Sequence, residues 1–159
     1  MFNFMDQQEV VKKEAFNFLK SHKTAVVATT SVDGEPQAST IYYVIDDNFD
    51  LYFLTGNETK KFKNLEKNNR IAFVIGVGPK PVTIQGSGKA ELLKHPYTDD
   101  IIMRMSENLG LKESRYWPFF KLPEGTASVF KIHPEWMVMV NLDIDQPAKY
   151  SEDFIRILP

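Results

Sequence analysis

The chain has 159 residues, 43% hydrophobic and 25% charged, with 19 Lys+Arg against 21 Asp+Glu and no cysteine. That length fits one domain, and the composition excludes disorder and collagen-like repeats. A net charge of −2 offers no broad attraction for nucleic acid or an anionic membrane, and the missing thiols exclude disulfides, a cysteine nucleophile and cysteine-ligated zinc.

In chain order, Asp6 to His22 predicts an amphipathic helix, with Val11, Ala15, Phe18 and Leu19 on one face. Asp6 and Glu9 have capping-box spacing, and His22 falls near the last turn, where a cation suits the dipole. The β-branched run Thr24 to Thr30 follows, then the turn signal Asp33-Gly34 and a strand over Gln37 to Ile45. Asp46-Asp47-Asn48 turns into Asp50 to Thr55. Three strands with short links predict an antiparallel meander, because a parallel sheet would need a helix between them. Glu58 to Lys67 predicts a short helix, Ile71 to Ile75 a fourth strand, and Gly76 to Pro81 a loop. Val82 to Leu93 predicts a long fifth strand with a bulge or bend at Gly86 and Gly88. Pro96 to Leu109 predicts a helix stopped by Gly110, and Arg115 to Phe120 an aromatic knot. Ala127 to Leu142 returns to strand texture around His133-Pro134.

About six strands with helices at the start, in the middle and before the last strand predict a mainly β fold: an antiparallel barrel with flanking helices, closed because closure removes exposed edges. One domain spans 1–159, and residues 147–159 read as a tail free to pack on a partner subunit. The N-terminus lacks the basic start and apolar run of a signal peptide, and no stretch approaches the roughly 20 apolar residues that span a bilayer. The expectation is a cytoplasmic protein with no membrane or nucleic-acid partner.

Several chemistries fail on spacing. Gly76-Val77-Gly78 has Pro81 where a dinucleotide fingerprint needs its third glycine, and Gly88-Lys89 lacks the rest of a P-loop. No G-x-S-x-G elbow occurs, and His22, His95 and His133 share no ligand spacing, which suits caps, turns or surface groups better than a metal. Scarce acid–base machinery favours a borrowed cofactor and leaves no catalytic side chain to assign.

The informative segment is Thr55-Gly56-Asn57-Glu58-Thr59-Lys60-Lys61, where a strand opens into a helix. Such a junction presents unpaired N–H groups and the positive end of the dipole. Two lysines there are unfavourable by about 0.3–1 kcal/mol each when exposed, a cost that a bound anion would offset. Lys63 and Lys67 continue the basic run, so local chemistry leaves both a phosphate site and a solvated lysine face open.

The order of ATTSVDGEPQAS, STIYYV, LYFLTG leading to ETKKFKNLEKNNRIAFVI, and VTIQGSGKAEL resembles the pyridoxamine 5′-phosphate oxidase-like family of FMN-binding split barrels. The likeness covers Thr24 to Glu91. It lies in Thr59, Lys60 and Lys61 at the strand–helix junction, and in Asn68-Asn69-Arg70 before the next strand. The resemblance implies an antiparallel six-stranded split barrel, FMN as cofactor, and a homodimer with flavin between the subunits. It implies that Lys60 and Lys61 bind the FMN phosphate, helped by Thr59. Ser39, Thr40, Ile41, Tyr42, Tyr43 and Val44 match the strand along the ring and ribityl chain, and Leu54 and Thr55 the pair beside the flavin. Thr83, with Gln85 next in line, matches the glutamine that contacts the ring. Trp117 and Trp136 suit either flavin stacking or core and dimer packing.

The chain also departs from the true oxidases. Ser39 and Val44 stand where those carry Arg and Lys, Lys60 replaces an Arg, and no Arg-x-His follows near the C-terminus. It therefore resembles the small general-stress and flavin-reductase-like members. The leading expectation is an FMN-dependent oxidoreductase acting on an unidentified small molecule. The alternatives are a flavin-binding, sensing or storage protein without turnover, a split barrel holding haem or deazaflavin, and a barrel carrying an apolar ligand.

Overall fold

The computed structural model describes residues 4–76, 82–110, 125–141 and 154–158. Helix α1 (Phe4–Ser21) buries Ala15 and Leu19, four residues apart on one stripe, against the barrel. It begins before Asp6, whose side chain, like the proposed capping box, lies outside the described residues. His22 follows the helix and contacts the Phe18 carbonyl through Nδ1 at 2.8 Å. Tyr43 fixes the helix to the sheet: its hydroxyl donates to the Leu19 carbonyl at 2.5 Å, and burial holds the phenol well above its usual pKa.

The strands are β1 (Thr24–Thr30), β2 (Pro36–Ile45), β3 (Leu51–Gly56), β4 (Arg70–Ile75), β5 (Val82–Leu92), β6 (Ala127–Asn141) and β7 (Phe154–Leu158). Neighbours run β3-β2-β1-β4-β5-β6, every pair is antiparallel, and pairing of β3 with β6 closes the ring. Alternation sends Val27, Tyr43, Phe53, Phe73, Ile84 and Ile132 into one interior cluster. The fold is thus the expected six-stranded antiparallel barrel with three flanking helices.

Two details differ from the sequence reading. Part of the presumed tail is a seventh strand: residues 154–158 pair with Met137–Val140 of their own chain, and Ile157 is buried. Five residues, FIRIL, are too few for alternation to identify against a helix end or a tail. The other detail is His133-Pro134, which does not divide the last strand. One long β6 continues through a bulge, with Ser87 facing Trp136 but Gly88 facing Pro134, so Glu135 is the extra residue. The far edge of β6 passes from β3, at 127–132, to β7, at 137–140, and Pro134 falls in the gap where neither strand claims that edge.

The barrel is open where it matters. β2 and β3 pair only from Tyr43↔Phe53 to Ile45↔Leu51, while residues 36–42 of β2 pair with β1. Helix α2 (Lys60–Lys67) sits against β1 and β3 and inserts Phe62 and Leu65 into the core. It starts two residues later than the sequence suggests because Thr59 is its N-cap. Helix α3 (Tyr97–Asn108) covers the outside of the sheet, packing Ile101 and Met105 on Val44, Tyr52, Leu54 and Val129. Gly110 takes a φ of +65 just beyond it, as a helix stop would.

Candidate functional site

The site grows from the β3–α2 junction. Thr59 caps the helix by accepting from the Phe62 N–H at 3.3 Å, and its hydroxyl donates to the Gly56 carbonyl at 2.9 Å. Thr55, fully buried, lies 3.0 Å from the Thr59 hydroxyl and accepts from Lys61 Nζ at 3.4 Å. The chain of donors runs from lysine to backbone: Lys61, Thr55, Thr59, Gly56. It turns Lys61 inward, while Lys63 and Lys67 stay on the exposed face of α2.

A cavity of about 370 Å³ opens here, lined by Thr29, Gln37, Ala38, Ser39, Thr59, Lys60 and Lys61. It contains two cations and no carboxylate, and neither lysine forms an ion pair among the described residues. Lys61 is half-buried, and burial lowers its pKa. A desolvated cation without a counter-charge is costly, and an anion in the cavity relieves it. The hydroxyls, the cations and the α2 amide groups together suit a phosphate dianion.

Lys61 therefore weakens the empty protein. Its folded pKa lies below the ordinary 10.5, so between the lowered value and 10.5 the folded state holds fewer protons than the unfolded one. The penalty of burying the charge is complete below that window and fades as pH rises through it, where affinity for an anion falls too. Lys61→Met is expected to raise the melting temperature of the ligand-free protein by about 1–3 °C at neutral pH. It should also remove this pH dependence of stability; melts from pH 7 to pH 10 check both.

The other sequence-derived residues distribute by strand alternation and by position along the strand. Ser39 lines the lysine cavity, whereas Ile41 and Tyr43 point into the barrel core. Val44 and Leu54 lie beneath α3. Thr40 and Tyr42 face outward from β2. Thr40 lies in one cross-strand row with Val26, Val74, Gln85 and Val138. Thr83 shares the outward face of β5 with Gln85. A second cavity of about 190 Å³ on this outer face is lined by Val26, Ala28, Ala72, Phe73, Val74, Gln85, Gly86 and Trp136. Trp117 and the aromatic knot around it lie outside the described residues, as does most of the expected loop 76–81.

The sequence reading missed two polar residues that line the lysine cavity, Thr29 and Gln37, and a third, Asn64, that holds them from outside it. Asn64 of α2 donates through Nδ2 to Thr29 Oγ1 at 3.0 Å and to Gln37 Oε1 at 2.9 Å. The polar content of Asn64, on the inward face of an otherwise basic helix, was the available signal; its partners 35 and 27 residues away were not.

Each histidine is engaged elsewhere. His22 packs on Phe18, and His95 meets Asp99 at 3.4 Å. His133 lies between Asp50 and Glu91, at 3.0 Å from each. A larger cavity of about 440 Å³ between α1, β2 and α3 is lined by charges of both signs, Lys20 and Arg104 against Asp47 and Glu107. It has no preference for an anion.

Fold and site together define a split barrel with a cationic, carboxylate-free cleft where two strands part. The pyridoxamine 5′-phosphate oxidase family profile matches residues 11–141, and the chain belongs to that family. Among solved structures, General Stress Protein 26 from Bacillus anthracis is 16% identical with a TM-score of 0.64, over 92% of this chain and 98% of that one. HutZ, the haem storage protein from Vibrio cholerae, is 18% identical with a TM-score of 0.61, over 77% of this chain and 89% of that one. A haem-binding protein from Mycobacterium smegmatis is 16% identical with a TM-score of 0.67, over 81% of this chain and 53% of that one. These likenesses concern the fold. No curated protein matches the sequence.

Proposed function

We propose that this protein binds FMN and is an FMN-dependent oxidoreductase acting on a small molecule other than pyridoxamine 5′-phosphate. The observation that carries the reading is the cavity of Lys60 and Lys61, with a half-buried cation and no carboxylate in its lining. Lys60 and Lys61 would hold the phosphate, Thr59 would help by capping the helix whose amide groups face it, and Ser39 would stand beside the chain that bears it. The outer face, with Thr40, Tyr42, Thr83 and Gln85, offers small and apolar neighbours for a flavin ring and polar groups for its edge. When bound, the flavin accepts and returns electrons; the protein holds its phosphate, orients the ring and excludes water from one side. Arg156 is followed by Ile157 and Leu158 where the oxidases carry an Arg-x-His, which argues against vitamin B6 as substrate.

The same outer face supports a homodimer. Val26, Ala28, Ala72 and Val74 form an apolar strip beside Trp136, which is 40% exposed. A second copy would cover it and enclose the ring. The cytoplasm remains the proposed location; among the described residues, no helix is long and apolar enough to cross a membrane.

Haem is the second reading, supported by the haem-binding proteins that share the fold. Against it, none of the three histidines lines the lysine cavity. The visible spectrum of the purified protein decides, with the released chromophore weighed by mass spectrometry. FMN near one per chain is expected, and reduction by NADH or NADPH would separate an enzyme from a storage protein. A Soret band or a deazaflavin mass would overturn the cofactor, and a colourless protein that takes up no added FMN would overturn the flavin reading.

A further inference from the structure

We infer that Gln37, oriented by Asn64, is a phosphate-binding donor of this chain. The inference rests on the FMN reading and adds residues to its site. Gln37 and Thr29 both line the lysine cavity; Asn64 does not. Asn64 nevertheless sets their polarity, because its Nδ2 gives one hydrogen to Thr29 Oγ1 at 3.0 Å and the other to Gln37 Oε1 at 2.9 Å.

With its carbonyl held by Asn64, Gln37 has only its Nε2 hydrogens left to offer, and these meet no acceptor among the described residues. Thr29 is 2% exposed, and its hydroxyl accepts from Asn64 while its own proton likewise meets no acceptor among the described residues. A nearly buried hydroxyl with an unused proton, lining a cavity with two cations, is the counterpart of an anionic ligand. Gln37 is two residues before Ser39 on β2, so it points to the same side of the strand. A neutral amide there supplies directed hydrogen bonds and leaves the charge to Lys60 and Lys61.

The test is FMN against riboflavin binding, by flavin fluorescence, in variants of the full chain. Gln37→Glu replaces the donors with acceptors of the same shape, and at least about a tenfold loss of FMN affinity is expected, with riboflavin within about threefold. Asn64→Asp turns the network around: its carboxylate accepts from Thr29 and from the Gln37 amide, drawing both donors away from the cavity. A similar FMN-selective loss is expected, larger than that of Asn64→Leu, which frees Gln37 without reversing it. Gln37 is half-exposed, so its variant reads the site even where Asn64 variants fold poorly.

The inference is overturned by Gln37→Glu keeping FMN affinity within about threefold while Lys60→Ala/Lys61→Ala loses it. Equal losses of FMN and riboflavin in Asn64→Asp and Asn64→Leu also overturn it, because Asn64 would then only brace the fold. Wild-type protein that binds neither flavin overturns the FMN reading itself, and the inference with it.

Discussion

Replacing Lys60 and Lys61 together by alanine should lower FMN affinity at least about 100-fold and leave riboflavin affinity within about threefold. A hydrogen bond to a charged group contributes about 1.5–3 kcal/mol, and each 1.4 kcal/mol is about a factor of ten in affinity. Two such contacts to one phosphate reach the expected loss even when part of it is recovered by water. Lys61 should account for more than Lys60, because it is half-buried and less screened than its exposed neighbour. The helix should survive the change. Its Thr59 cap is untouched, alanine is the best helix former, and two cations leave the positive end of the dipole. Circular dichroism and a melting curve confirm that the variant is folded, and a fluorescence titration with each flavin reads the effect. A parallel fall for both ligands would remove the phosphate from this cavity.

The contrast between the lysines and their partners shows what the sequence could carry. Strands β1 to β5 were legible because short alternating runs are bounded by local signals such as Asp33-Gly34. In the structure, Gly34 takes a φ of +85, as the turn requires. Asp46-Asp47-Asn48 is equally local: the Asp46 carboxylate accepts from the N–H groups of Asn48 and Asp50, at 2.9 and 3.1 Å. Thr59-Lys60-Lys61 was legible because a cap and two misplaced cations break a local rule at consecutive positions. Asn64 breaks no rule on its own sequence. Its meaning comes from the packing of α2 across β1, which brings Thr29 and Gln37 to it. β7 was hidden for a related reason, since its pairing partner on β6 is fixed by the handover from β3 and not by any pattern in FIRIL. Alternation and position along the strand together sort residues that a linear match treats as one strip. Ser39 and Tyr43 share the inward side of β2, but Ser39 joins the cavity and Tyr43 enters the core further along, while Val44, on the other side, goes under α3. A family strand read as six consecutive flavin neighbours therefore presents three different environments.

Gly88→Ala should be among the most damaging single-methyl changes in this chain, costing about 3–4 kcal/mol. At this size that lowers the melting temperature by about 6–15 °C. A Cβ at Gly88 would fall on the carbonyl oxygen of His133 and lie 2.8 Å from the Cα of Pro134. Both obstacles are backbone, so no rotamer change clears them. The site is the bulge itself, where Gly88 faces Pro134 and Glu135 is squeezed out to meet Arg70 at 2.9 Å and Lys89 at 3.3 Å. The strand can relax only by moving β6 away from β5, which disturbs His133 between Asp50 and Glu91 on one side and Trp136 on the other. Trp136 emission should therefore change even in the fraction that folds. Gly34→Ala is the matched control, for Gly34 has nothing within 4 Å of the added methyl and suffers only from its φ of +85. That conformation costs about 1–2 kcal/mol for a residue with a Cβ. If the two variants melt together, space at the bulge is not what requires glycine there; if Gly88→Ala melts well below Gly34→Ala, the close approach of β5 to β6 sets the register on which the outer face and its Gln85–Trp136 pocket are built.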